Sequence, residues 1–497
     1  MAWSRRDFVA GSLLASTYPF TAGGERKGFK PFGAVPSRQQ LQWQRLETCA
    51  FLHFTVNTFT GKEWGYGDED PNVFAPTDFD ADQIIGALKA GGMRAVILTC
   101  KHHDGFCLWP TKTTEHCLRH SRWMDGKGDV VRAISDAARR HGLKFGVYVS
   151  PWDRNNPAYG TPAYLPIYRA QITELLTNYG PITEVWFDGA NGGDGFYGGA
   201  REKRTIDKLH YYGWPETWAL VRKLQPEAVI FSDTGPDIRW VGNERGEAGQ
   251  TCWATITQEG EHGGPASPGD VNTKLNNTGT LGGAAWMPAE CDVSIRKGWF
   301  YHPEEDGTVK TPEQLLALYD KSVGRGAGLL LNVPPDTRGR IAHEDAASLK
   351  AFHEHVRRTF ATNLLRNAAL RASGMQGHAF RPANLVDADP DTCWAAPNGS
   401  DESSVTATFR QPAKLNVIRI REALQYGQRV RRWVLEAQTS GADWAKLAEG
   451  ESIGNCRIVR LPQTITAKAL RLRITEAAAP AALAEWGVYF DPAHSQG

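Results

Sequence analysis

Short apolar runs recur along the first two-thirds of the chain, each followed by a stretch of helical spacing. The runs cover residues 49–55, 95–100, 145–150, 184–188, 228–233 and 328–333. Continuous apolar runs of this length suit strands buried on both faces of a parallel sheet. Between them, residues 80–90, 129–141, 168–179, 214–224, 311–324 and 344–360 predict helices,. Their ends carry the expected signals: Asp129 before one helix and Gly142 after it, and Thr311-Pro312-Glu313-Gln314 opening another,. Strand and helix in alternation predict an α/β fold. Polar residues stand at or just past the ends of the runs: His53, Lys101, Asp188, Asp233 and Asn332. That favours a (β/α)8-like barrel with one working face. A doubly wound sheet is the competing topology, but no Gly-rich phosphate loop follows any run.

Residues 235–301 break the pattern. They are rich in Gly, Asn, Pro and Trp, and predict loops over the barrel mouth plus at least one strand that cannot be positioned,. Near residue 362 the character changes to short alternating runs at 405–409, 415–420, 432–437, 458–461, 469–474 and 485–490. Regular turns between such runs predict an all-β sandwich. The expected division is therefore a barrel over 31–362 and a sandwich over 363–497. Residues 1–30 read as an export signal. Ser4-Arg5-Arg6-Asp7-Phe8-Val9 resembles a twin-arginine motif, and the apolar stretch 9–20 after it is too short to span a bilayer,. This predicts delivery to the bacterial periplasm. No later segment is long and apolar enough to insert into a membrane.

The net charge is +1, from 56 Lys+Arg against 55 Asp+Glu, so nothing electrostatic points to nucleic acid,. The 17 Trp are unusual. Aromatic rings fill cores, and they also stack on the apolar faces of sugars. The eight cysteines form no CxxC pair or zinc spacing and read as small buried hydrophobes,.

The chemistry concentrates at strand ends. Glu184-Val-Trp-Phe-Asp188-Gly189 is a β-branched and aromatic run that delivers one carboxylate, then a glycine that lets a substrate approach. Asp188 is the first candidate for catalysis; capping the next turn is the plainer role. Glycoside hydrolysis usually needs a second carboxyl group. Asp233, Glu244, Glu247 and Glu290 are the candidates. Glu244, in the aromatic segment after Arg239-Trp240, best fits an acid with a raised pKa. His53, His102 and His103 end two neighbouring runs; neutral imidazoles there suit recognition of several sugar hydroxyls. Glu63-Trp64 pairs a carboxylate with a stacking ring. Tyr148, Trp152 and Trp286 are further strand-end or loop aromatics.

In family order, His53-Phe54, Glu63-Trp64-Gly65, Lys101-His102-His103-Asp104-Gly105-Phe106, Tyr148 and Trp186-Phe187-Asp188-Gly189 resemble the retaining α-L-fucosidases of glycoside hydrolase family 29. The resemblance implies that Asp188 is the nucleophile and that His53, His102, His103, Trp64 and Tyr148 line a fucose pocket. Residues 231–244 look like the branch acting on α-1,3/1,4-fucosides, which implies Glu244 as acid/base. Residues 192–212 are longer than that pattern predicts. Leu385-Val-Asp-Ala-Asp-Pro-Asp-Thr-Cys-Trp394 resembles the discoidin-like (F5/8 type C) sandwich. Some such modules bind carbohydrate or a structural calcium ion; others only buttress their neighbour.

The combined expectation is an exo-acting hydrolase that releases fucose from a fucosylated glycan, with no cofactor for catalysis and no catalytic metal. Glu63 and Trp286 join the substrate-binding set in that expectation. Two other readings remain at this point: a catalytically inactive carbohydrate-binding barrel, and a metal-dependent hydrolase using His102 and His103.

Overall fold

The computed structural model describes residues 29–439 and 441–496. The segment carrying the expected export signal lies outside them.

Eight strands close into a barrel in chain order, with every neighbouring pair parallel. They are β1 (Thr48–Leu52), β2 (Ala95–Lys101), β3 (Lys144–Val149), β4 (Glu184–Trp186), β5 (Val229–Ser232), β6 (Ile238–Trp240), β7 (Ala289–Ser294) and β8 (Gly328–Asn332). Helix α1 (Arg38–Gln44) precedes β1. The outer helices are α2 (Ala81–Ala90), α3 (Val130–His141), α4 (Tyr164–Asn178), α5 (Trp214–Leu224), α6 (Pro312–Lys321) and α7 (His343–Thr359). Their starts follow the local chemistry. Asp80, Asp129 and Thr311 each accept the N–H three residues on, and Gly142 takes the left-handed conformation that ends α3,.

The six runs expected as strands all lie in the barrel, and β6 and β7 complete it from the irregular region. Two features hid them. Strand β7 turns Glu290 and Asp292 into the barrel interior, so its pattern is not apolar. Strand β6 carries a buried arginine at its centre. Arg239 donates to the carbonyls of Asn276, Trp253 and Met287, knitting the loops over residues 250–288 to the barrel wall. The β5–β6 link also departs from strand–helix alternation. Only residues 233–237 join these parallel strands; Asp237 closes the turn by accepting the Ile230 N–H and pairing with Arg222.

Inside the barrel Trp186 stacks on Phe231 with ring centroids 4.1 Å apart. Beneath this pair lie two buried acids. Glu184 accepts from the Trp43 indole of α1 at 2.8 Å, and Glu290 accepts from the Trp186 indole at 3.0 Å. The two carboxyl groups are close enough that each perturbs the other. Burial raises both, so the pair holds a proton where exposed glutamates have lost theirs,.

The chain then forms an antiparallel all-β domain. Its two longest strands, Ser403–Glu422 and Arg457–Ala477, each unite two of the expected runs through register shifts. Trp394, Trp433 and Trp486 fill its core. It packs on the N-terminal end of the barrel. Arg421 pairs with Glu47 at 2.5 Å, Arg460 with Asp320 at 2.5 Å, and Asn455 donates to the Gln44 carbonyl at 2.9 Å.

The carboxyl pair makes a stability prediction. Above the ordinary glutamate range the unfolded chain binds fewer protons than the native pair, so stability falls as pH rises through it. Glu184→Gln keeps an acceptor for Trp43 and does not titrate. Thermal denaturation from pH 5 to pH 8 should show the melting temperature of Glu184→Gln gaining on the wild type as pH rises. A constant difference contradicts the shared proton.

Candidate active site

The strand C-termini open into a cavity of about 300 Å³. His53, Trp64, His102, His103, Tyr148, Asp188 and Glu244 all line it. Barrel order therefore sorts the rim: imidazoles and a phenol on β1–β3, then Asp188 after β4, Asp233 after β5, Glu244 beyond β6 and Asp292 on β7.

The histidines are neutral by construction. Burial pulls His53 and His103 down to about 3 and His102 well below the usual histidine range. The hydrogen-bond network also assigns the tautomers of His103 and His53. Ser150 Oγ donates to the Trp152 carbonyl, so it accepts from His103 Nδ1 at 2.7 Å. Asn332 spends its amide hydrogens on Ser294 Oγ and the Trp299 carbonyl, so its Oδ1 accepts from His53 Nδ1 at 2.8 Å. Nε2 of both rings is then a bare acceptor, ready for a hydroxyl. His103 Nε2 lies 3.9 Å from Asp188 Oδ2.

Asp188 lies two residues past the end of β4. Its Oδ2 accepts from the Tyr148 hydroxyl at 2.9 Å and its Oδ1 from the Ala190 N–H at 2.6 Å. Burial raises its carboxyl, while these two donors favour the ionised form,. Glu244 stands at the open lip. Partial desolvation there raises it, the Trp299 indole opposes the shift from 3.4 Å, and the negative charges of Asp188 and Glu63 add to it. Asp233 is pushed up to about 7 by burial, and Asp292, which accepts from the Trp240 indole at 2.8 Å, well above its usual range.

Two expected binding residues are placed otherwise. Glu63 does not line the cavity. It accepts from the backbone N–H groups of Trp299 and Phe300 at 2.7 and 3.3 Å and pairs with His302 Nε2 at 2.6 Å. It anchors the loop that carries Trp299 to the mouth. Trp286 lies in the seam with the C-terminal domain, packed with Ala254 and Leu424, its indole on Gln44 Oε1 at 3.1 Å. Trp299, Trp240, Trp186 and Asp292 line the cavity and were not among the expected site residues. Trp299 had a signal, the aromatic run 299–301 within the irregular region. Tyr148 stacks on Trp186 at 5.2 Å, and Trp64 meets His103 edge-on at 5.2 Å. Trp64 is 52% exposed, a ring left free for a ligand.

Residues 33–359 match the family model described as alpha-L-fucosidase, and residues 369–486 the F5/8 type C domain. The chain belongs to the α-L-fucosidase family. It is 41% identical over 467 residues to alpha-L-fucosidase 1 of Arabidopsis thaliana, covering 93% of this chain and 88% of that one. Among solved structures it resembles a glycoside hydrolase 29 family member from a rumen bacterium, with 42% identity and a TM-score of 0.82 over 93% of this chain and 78% of that one. It also resembles a Ruminococcus gnavus GH29 fucosidase in complex with fucose, with 29% identity and a TM-score of 0.83 over 95% and 98% of the two chains.

This α-L-fucosidase is thus a glycoside hydrolase whose cavity combines neutral hydroxyl acceptors with carboxyl groups. Among the described residues no three His, Cys, Asp or Glu gather as metal donors. The acidic stretch over residues 387–391 of the C-terminal domain folds into local turns. Asp387 accepts from the Asp389 N–H and Thr392 Oγ1, Asp389 from the Asp391 N–H, and Asp391 pairs with Arg45.

Neutral imidazoles make a direct prediction. In ¹⁵N-edited spectra the ring nitrogens of His53 and His103 should not titrate between pH 5 and pH 8. A midpoint near the free-histidine value for either would contradict the burial described.

Proposed function

We propose that this α-L-fucosidase is a retaining exo-enzyme that removes α-1,3- or α-1,4-linked fucose from branched glycans by double displacement. The observation that carries the mechanism is the pairing of Asp188 and Glu244 on one small cavity in contrasting environments. Asp188 has two donors that favour its anion, as a nucleophile requires. Glu244 has a raised carboxyl at the open lip, as a proton donor to a leaving oxygen requires,. In the first step Asp188 attacks the anomeric carbon while Glu244 protonates the departing oxygen. In the second, Glu244 takes a proton from water, which displaces the fucosyl group from Asp188 and restores the α-configuration. Two carboxyl groups suffice, so the reaction needs no cofactor. Retention places such groups about 5–5.5 Å apart. The linkage reading rests on residues 231–244, and the export reading on Ser4-Arg5-Arg6-Asp7-Phe8-Val9. With that export the enzyme meets its glycans in the periplasm.

Kinetics with a nitrophenyl fucoside test the roles. Asp188→Gly should nearly abolish turnover. Glu244→Ala should lose about 10²–10⁴-fold, and azide should restore part of it as fucosyl azide. Full activity in Asp188→Gly would end the proposal. Tyr148→Phe removes a donor to the Asp188 anion, so its acid limb of kcat/KM should move to higher pH, with a loss of about 10–100-fold. An unmoved limb would remove Tyr148 from this role.

A further inference from the structure

Asp233 is the least explained group in the cavity. It is 8% exposed and follows β5, between the strand that leads to Asp188 and the strand that leads to Glu244. Its Oδ2 accepts the Gly269 N–H at 2.7 Å. Its Oδ1 has no hydrogen-bond partner among the described residues, and Asp233 lines the cavity. The surroundings are built around this carboxyl. A Cβ on Gly189 would lie 2.0 Å from Asp233 Oδ2, so the residue after the nucleophile must be glycine to admit it. Gly269 is packed so tightly that its own Cβ would meet the Gly189 carbonyl at 2.4 Å. Lys208, from the long segment after β4, donates to the Gly269 carbonyl at 2.7 Å. Three segments thus converge on one carboxylate that keeps an oxygen free.

The rim order says which part of a substrate meets it. The hydroxyl acceptors on β1–β3 hold the fucosyl ring, and the bond to be broken lies between Asp188 and Glu244. The strand between those two, on the side away from the histidines, faces the sugar that departs. The cavity lining there carries Asp233, Glu244 and Asp292, and it includes no lysine or arginine among the described residues. Such a wall favours hydroxyl donors and disfavours sulfate, carboxylate or phosphate on the leaving group.

We infer that Asp233 is a specificity-determining residue of a leaving-group subsite, where its Oδ1 accepts a hydroxyl of a neutral sugar from which fucose is cleaved. The inference rests on the reading of Asp188 and Glu244 as the reacting pair.

Asp233→Asn separates this role from a structural one. Its amide oxygen still accepts from Gly269, while an NH2 replaces the acceptor that faces the cavity. The readout is kcat/KM for a neutral fucosylated trisaccharide and for an aryl fucoside, which lacks the hydroxylated leaving sugar. The expected result is a loss at least about tenfold larger for the trisaccharide, as one missing hydrogen bond implies. Equal losses on both substrates, or none, overturn the inference. The wild type gives an independent check should the variant fold poorly. Trisaccharides deoxygenated at single leaving-group positions should include one that loses about tenfold, and uniform rates across the set overturn the subsite. A wild type inactive on both substrates instead refutes the reacting pair and takes this inference with it.

Discussion

Removal of water from the barrel mouth governs the chemistry of this enzyme. A histidine at a strand end is useful to a sugar only as a neutral acceptor, and a carboxyl group is useful as an acid only if it keeps its proton. Burial supplies both conditions from one source. It holds His53 and His103 at about 3, far from ionisation, and it raises Asp233, Asp292 and, at the lip, Glu244. Asp188 is the exception that matters. Its carboxyl is raised by burial too, but the Tyr148 hydroxyl and the Ala190 N–H oppose that rise and favour the ionised form.

The same constraint reaches below the mouth. The indole of Trp186 is fixed by Glu290, which faces Glu184, which is fixed in turn by Trp43 of the helix that closes the barrel's far end. Trp186 stacks on Tyr148, and Tyr148 holds Asp188. A column of buried hydrogen bonds and one ring stack therefore runs from the barrel floor to the proposed nucleophile. The C-terminal domain grips that floor through Glu47, Gln44 and Asp320. Its visible contribution is to brace the end opposite the chemistry.

Much of this was legible in the chain. The Glu184–Gly189 run announces a strand that ends on a carboxylate because its neighbours are apolar and β-branched. His53, His102 and His103 stand out because they sit at or just past the ends of apolar runs. Strands β6 and β7 were hidden because the barrel interior there is polar: Glu290 and Asp292 point inward, and Arg239 is buried by carbonyls distant in sequence. Glu63 was misread for a related reason. Its neighbour Trp64 faces the cavity, but its own partners are Trp299, Phe300 and His302, more than 230 residues away. Trp286 and Trp299 share one irregular region, and partners distant in sequence, Gln44 for the first and Glu63 and Asn332 for the second, decide which of them reaches the mouth.

The central claim is that Asp188 is the group to which the sugar becomes covalently attached. A 2-deoxy-2-fluoro-fucosyl fluoride forms that bond readily and releases it slowly, so the adduct can be digested and mapped by mass spectrometry. The account predicts a single 2-deoxy-2-fluorofucosyl increment on the peptide containing residues 184–189, carried by Asp188. An increment on Asp233 or Glu244, or an enzyme that turns the reagent over without ever becoming labelled, would contradict it.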